Sequence, residues 1–157
     1  MNLSIAKDIS VIAASLIGLI TLVKAVVEYT RQNTQHRADH YQKLRDQFRD
    51  DPQFRELFIL LETNDKSLEC LPFQQKQHLI GFYEDIALSV NSGLIKKEVA
   101  HYMFGYYALR CWESDYFWGT VNRNSPYWSL FKHFVKQMDA SEIILLQHTN
   151  KTSNYKL

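Results

Sequence analysis

The sequence predicts an all-α protein: an N-terminal transmembrane helix that continues into a stalk, followed by a small helical bundle. Three observations carry this. Residues 9–27 are an almost unbroken apolar run. Five Gly and three Pro in 157 residues are too few for the tight turns of a β-sandwich. Apolar residues recur at three- and four-residue spacing, and no alternating run of strand type occurs.

Composition narrows the class further. With 46% apolar and 22% charged residues, global disorder is excluded. Eighteen Lys+Arg against seventeen Asp+Glu leave a net charge of +1, which gives no whole-chain case for a polyanion partner. Cys70 and Cys111 cannot build a disulfide framework and read as reduced thiols of a cytoplasmic domain. The mean hydropathy of −0.30 hides an asymmetry, because most of the aliphatic excess sits in the first thirty residues. The organisation read from this is an anchor over 1–30, a helical stalk over 31–50, a cytoplasmic helical bundle over 51–140 and a polar tail over 141–157.

Residues 9–23 carry no charge, and residues 25–27 extend the apolar run past Lys24. At about 1.5 Å per residue the stretch reaches roughly 28 Å, just under the roughly 30 Å of a bilayer's hydrocarbon core. Lys24 lies near one end, where its stem snorkels to the headgroups. A cleaved signal peptide needs a positive start and a small-residue cleavage site, but Lys7 is offset by Asp8 and no A-x-A follows. A buried soluble helix is the remaining alternative, since an interfacial helix would need a wider polar face. Arg31, Arg37, Lys43, Arg45 and Arg49 all follow the segment, so the C-terminal part is expected inside, at a bacterial inner membrane. The Asn-x-Ser/Thr triplets at Asn2 and Asn150 are then chance matches.

The anchor is also patterned. At 100° per residue Ser10, Ala14, Gly18, Thr21, Lys24 and Glu28 share about a third of the circumference. Small and polar residues let membrane helices approach closely. A single helix forms a pore only by oligomerising, and Lys24 and Glu28 would then ring its cytoplasmic mouth. Short polar residues in a lone anchor are the plain alternative.

No Gly or Pro interrupts residues 19–51, so the helix continues as a polar stalk with an apolar edge at Tyr41, Leu44 and Phe48. Asp50 or Asp51 ahead of Pro52 stops it and opens a helix to about Glu62, with Phe54, Leu57, Phe58 and Leu61 on one face. A polar turn comes next, over 63–67. Pro72 opens a helix to about Ser92, ended by Gly93, with Leu79, Phe82, Tyr83, Ile86 and Val90 facing the core. Residues 96–112 form the next helix. From Val99 on it is nearly apolar all round, which predicts the most buried helix. A loop spans 113–124. Ser125-Pro126 starts a helix to about Met138, with Trp128, Phe131 and Val135 inward.

The run Phe82-Tyr83-Glu84-Asp85-Ile86-Ala87, then Gly93-Leu94-Ile95, Met103-Phe104-Gly105-Tyr106-Tyr107 and Cys111-Trp112, behind an N-terminal membrane helix, resembles a family of short bacterial proteins. These carry an N-terminal membrane helix and a helical cytoplasmic domain of unknown function, and some accompany antiphage defence systems. The resemblance covers residues 9–120 and rests mostly on core-packing residues. It implies a helical cytoplasmic domain, an inner-membrane location and a membrane-acting role, and it carries no catalytic residues.

Individual side chains add candidates. Arg110 sits in the apolar helix, where an unpaired guanidinium would be very costly, so an ion pair with Glu84 or Asp85 is expected. His36 and His40 have zinc-ligand spacing but lack the Glu of H-E-x-x-H; an exposed stalk accounts for them, and no metal is expected. No G-x-S-x-G, phosphate-binding Gly loop or Cys–His arrangement occurs, so neither catalysis nor a cofactor is expected. More than half of the aromatics fall between Tyr102 and Phe134, with Lys132 and Lys136 nearby. Core filling explains most of them; nucleotide or oligonucleotide stacking is the alternative, with Trp118 and Trp128 expected to be partly exposed.

The expectation is a membrane effector of a defence or stress system. It would oligomerise with itself through the helical domain and form a pore when released by a protein partner, such as a neighbouring-gene product, or by a ligand. A passive anchor recruiting a soluble enzyme, or a nucleotide-sensing module, is the alternative.

Overall fold

The computed structural model of the chain describes residues 3–119 and 121–153, with side chains placed over 14–119 and 121–143. All regular structure among these residues is helical. The chain divides into two compact units, Met1–His40 and Tyr41–Leu157.

Helix α1 spans Leu3–Asp50 without interruption, which the lack of Gly and Pro after Gly18 permits. Every side chain over 14–36 is exposed, and Leu16, Ile17, Leu19, Ile20, Leu22, Val23, Val26 and Val27 are each 50% to 64% exposed. Among the described residues of that unit nothing covers their apolar surface. Thr21 Oγ1 donates to the Ile17 carbonyl (2.8 Å) and Thr30 Oγ1 to the Val26 carbonyl (2.7 Å), so both hydroxyls are satisfied inside their own helix. Among the described residues no helix is long and apolar enough to cross a membrane. The side chains of residues 9–13, which open the apolar run, lie outside those described.

In the second unit, the end of α1 contributes Tyr41, Leu44 and Phe48 to the core. Asp51 then caps α2 (Pro52–Thr63), accepting from the backbone N–H of Gln53 (2.8 Å) and Phe54 (3.4 Å), with Pro52 at the first helical position. Phe54, Leu57, Phe58 and Leu61 are its buried face. Asn64, at φ +48°, ends it. Asp65 caps a 3-10 turn over Lys66–Cys70, within and beyond the expected polar turn. Helix α3 (Phe73–Asn91) stops where Gly93 turns at φ +72°.

The next helix is not uniform. It consists of α4 (Lys97–Ala100), a π-helical turn over His101–Gly105, and α5 (Tyr106–Glu113). The extra residue of a π turn rotates the remainder of the helix, so Phe104, Ala108 and Cys111 are buried while Tyr102 (85% exposed), Tyr106 and Arg110 face solvent. The all-round apolar reading of this helix is therefore corrected: one face is solvent-exposed. Residues expected as loop include a helical turn, α6 (Asp115–Trp118), capped by Ser114. A 3-10 turn over Pro126–Trp128, begun by Ser125, leads into α7 (Ser129–Ser153), which runs well beyond Met138. Helices α3 and α7 pack together around Tyr83, whose ring stacks on Phe131 (5.4 Å) and Phe134 (6.1 Å).

Candidate functional site

Trp112 lies in the last turn of α5, Trp118 ends α6, Trp128 precedes α7 and Phe73 opens α3; the fold brings these four rings together. Trp112 and Trp118 meet edge-on with centroids 5.4 Å apart, Trp118 and Trp128 are 6.3 Å apart, and Phe73 and Trp128 are also 6.3 Å apart. Ser114 Oγ makes the corner: it accepts from the Phe117 N–H (3.1 Å) and donates to Asn64 Oδ1 (2.7 Å). The turn closes through Gly119 at φ +40°, a conformation that side chains rarely adopt.

Three cationic side chains approach this cluster, of which Arg123 also reaches Asp115 Oδ1 at 3.4 Å. The Trp112 carbonyl accepts from Trp118 Nε1 (3.2 Å) and from the Arg123 guanidinium (3.0 Å), which also lies 5.7 Å from the Trp112 ring centroid. Lys132 Nζ sits 5.9 Å from the same centroid and donates to Asn124 Oδ1 (3.2 Å). Lys76 is the unexpected member: it is only 3% exposed. Its ammonium donates to the Glu69 carbonyl at 3.4 Å and lies 5.8 Å from the Phe117 ring centroid. Burial holds its pKa below the usual lysine value, partly offset by Glu69. Leu71, Phe73, Lys76, Val121, Asn122, Ser125 and Trp128 line an open cavity of about 460 Å³.

Neither protein families, curated proteins nor solved structures contain a match to the chain. The chemistry of the site therefore rests on its own residues.

One expectation for this region changes, that of a partly exposed Trp118. Trp118 is 4% exposed rather than half-open, because the α6 turn tucks its indole against Trp112 and Phe131. Trp128 is half-buried, Lys132 is partly covered by the Trp112 ring, and Lys136 stands exposed one turn farther along α7. Lys76 was legible in principle: it precedes Leu79, Ile80 and Tyr83 at helical spacing on the core-facing stripe of α3.

The expected ion pair is absent among the described residues. Arg110 is exposed, with its guanidinium 5.4 Å from the Tyr106 ring centroid, and it pairs with neither Glu84 nor Asp85. The π turn carried it out of the core. It borders an open groove with Tyr102, Tyr106 and Glu113. Asp85 is exposed, whereas Glu84 is partly buried; burial raises its pKa, and the Phe131 backbone N–H in the first turn of α7 opposes this. Of the stripe on α1, Ala14, Gly18, Thr21, Lys24 and Glu28 are exposed and a Cβ added at Gly18 would meet nothing within 4 Å beyond its own helix backbone; the side chain of Ser10 lies outside the described residues. Among the described residues no three metal-ligating side chains come together.

Proposed function

We propose that the chain is a single-pass inner-membrane protein of a bacterial defence or stress system, with its helical domain cytoplasmic. Its anchor would assemble with copies of itself and open the membrane when a partner or ligand releases it. One observation supports this most: the aliphatic side chains over 16–27 are exposed on every side of α1, an arrangement that costs about 25 cal/mol per Å² in water and nothing in hydrocarbon. Hydroxyls folded back onto their own helix at Thr21 and Thr30 suit the same surroundings. The basic residues that follow favour the orientation. Residues 9–13 complete the span in this reading.

Ultracentrifugation of the full chain expressed without detergent tests the anchor. Recovery in the membrane pellet after an alkaline wash is expected; a stable monomer in the supernatant overturns it. Dye leakage from liposomes then separates effector from passive anchor. The wild type should leak, and a Ser10→Leu, Gly18→Leu double variant, which fills the small-residue stripe, should not. Leakage indifferent to the double change refutes the pore.

A further inference from the structure

We propose that the cavity beside Trp128 binds a small anion bearing a planar ring, of the size and chemistry of a mononucleotide, with Lys76 as its charge partner. This stands independently of the membrane reading.

Burying a lysine is costly unless its charge is answered, and here it is answered incompletely. An ammonium has three protons to donate, and among the described residues Lys76 uses one, in a long bond to the Glu69 carbonyl. Glu69 is the carboxylate that opposes the effect of burial on Lys76, yet it is exposed and forms no ion pair with it. None of the described residues lining the cavity is acidic. Helix α3 begins at its edge with no side chain capping it, because Pro72 occupies the cap position. The positive end of the helix and the Lys76 ammonium therefore favour the same sign of ligand.

The rest of the wall selects a ring. Phe73 is 46% exposed and Trp128 half-buried, giving aromatic faces at the rim. Asn122 and Ser125 supply hydrogen-bonding groups. A cavity of about 460 Å³ lies within the range of small-molecule sites and is too small for a folded partner. A base stacked at the rim with its phosphate toward Lys76 uses all these features together.

The readout is built in, since all three tryptophans of the chain belong to this cluster. Adenosine monophosphate, inorganic phosphate and adenosine are titrated into the detergent-solubilised full chain, followed by tryptophan fluorescence and calorimetry. The monophosphate should bind saturably, phosphate should compete with it, and adenosine should bind at least about tenfold more weakly. Lys76→Met should abolish binding with helicity unchanged. Should that variant misfold, Phe73→Ala at an exposed position should still weaken binding about tenfold. Lys136→Met should bind like the wild type. Absence of saturation up to about 10 mM, equal binding of adenosine, or full binding by Lys76→Met would each overturn the proposal.

Discussion

Phe48, near the end of α1, meets Phe104 of the π-helical turn edge-on, with ring centroids 5.1 Å apart and planes at 86°. The same Phe48 ring touches Phe58 of α2 (4.7 Å) and Phe82 of α3 (5.9 Å). One partly buried side chain thus joins segments far apart in sequence, and the end of α1 belongs to the core of the second unit.

Phe48→Ala should therefore lower the unfolding free energy by about 2 kcal/mol, below the roughly 3–5 kcal/mol of a fully buried ring because Phe48 keeps some solvent contact. Chemical denaturation followed by circular dichroism measures it. A loss under about 0.5 kcal/mol would mean that this end of α1 adds nothing to the core.

Arg110→Met should change stability by less than about 0.5 kcal/mol, since the guanidinium is exposed and lies over the Tyr106 ring at the edge of an open groove. Glu84→Gln separates the observed arrangement from an ion pair more sharply. Burial raises the Glu84 pKa, so the folded state carries a penalty once pH exceeds the ordinary 4.5. The glutamine variant should melt no lower than the wild type at pH 7, with any gain vanishing as pH falls below about 4.5. A lower melting temperature at neutral pH would show that the hydrogen bond from the Phe131 N–H outweighs the cost of burial.

Element boundaries were legible wherever one residue both ends and begins a segment. Asp51-Pro52, Gly93 and Ser125-Pro126 fall where expected because a cap or a positive φ is a local requirement. The face of 97–113 was not legible. One residue more in a single turn rotates Arg110 outward, and nothing in the apolar count over 99–112 encodes that rotation. Long-range packing also hid the site. Lys76 sits on a stripe with Leu79 and Tyr83, but that Phe117 of α6 lies against it depends on a residue far along the chain.

Gly119 is needed for its conformation. At φ +40° a side chain is strained, and a Cβ there would approach Glu69 Cγ to 3.2 Å and the Tyr116 carbonyl to 3.4 Å. The Glu69 stem is exposed and can move aside; the backbone strain remains. Gly119→Ala should cost about 1–2 kcal/mol, measured by thermal melting, whereas Gly81→Ala, with open space around it, should cost nothing or stabilise α3 slightly. Equal effects at the two positions would show that the turn tolerates a side chain.

Cys111 and Lys76 should give stability opposite dependences on alkaline pH. Burial pushes the Cys111 thiol well above its ordinary 9.0, with Lys76 partly offsetting it. Above about pH 9 the unfolded chain releases that proton and the folded chain keeps it, so stability falls by up to about 1.4 kcal/mol per pH unit. Cys111→Ala removes this dependence, so its deficit relative to the wild type should shrink from pH 9 upward. Lys76 is a base whose pKa burial lowers from 10.5. Its penalty is present at neutral pH and is relieved as pH rises toward 10.5, so Lys76→Met should be the more stable protein at pH 7 and lose that advantage on alkalinisation. Urea denaturation at pH 7, 8, 9 and 10 under reducing conditions reads both slopes. Parallel curves for wild type and Cys111→Ala would mean the thiol titrates in place, and a Lys76→Met variant less stable than wild type at pH 7 would mean the ammonium is already paired.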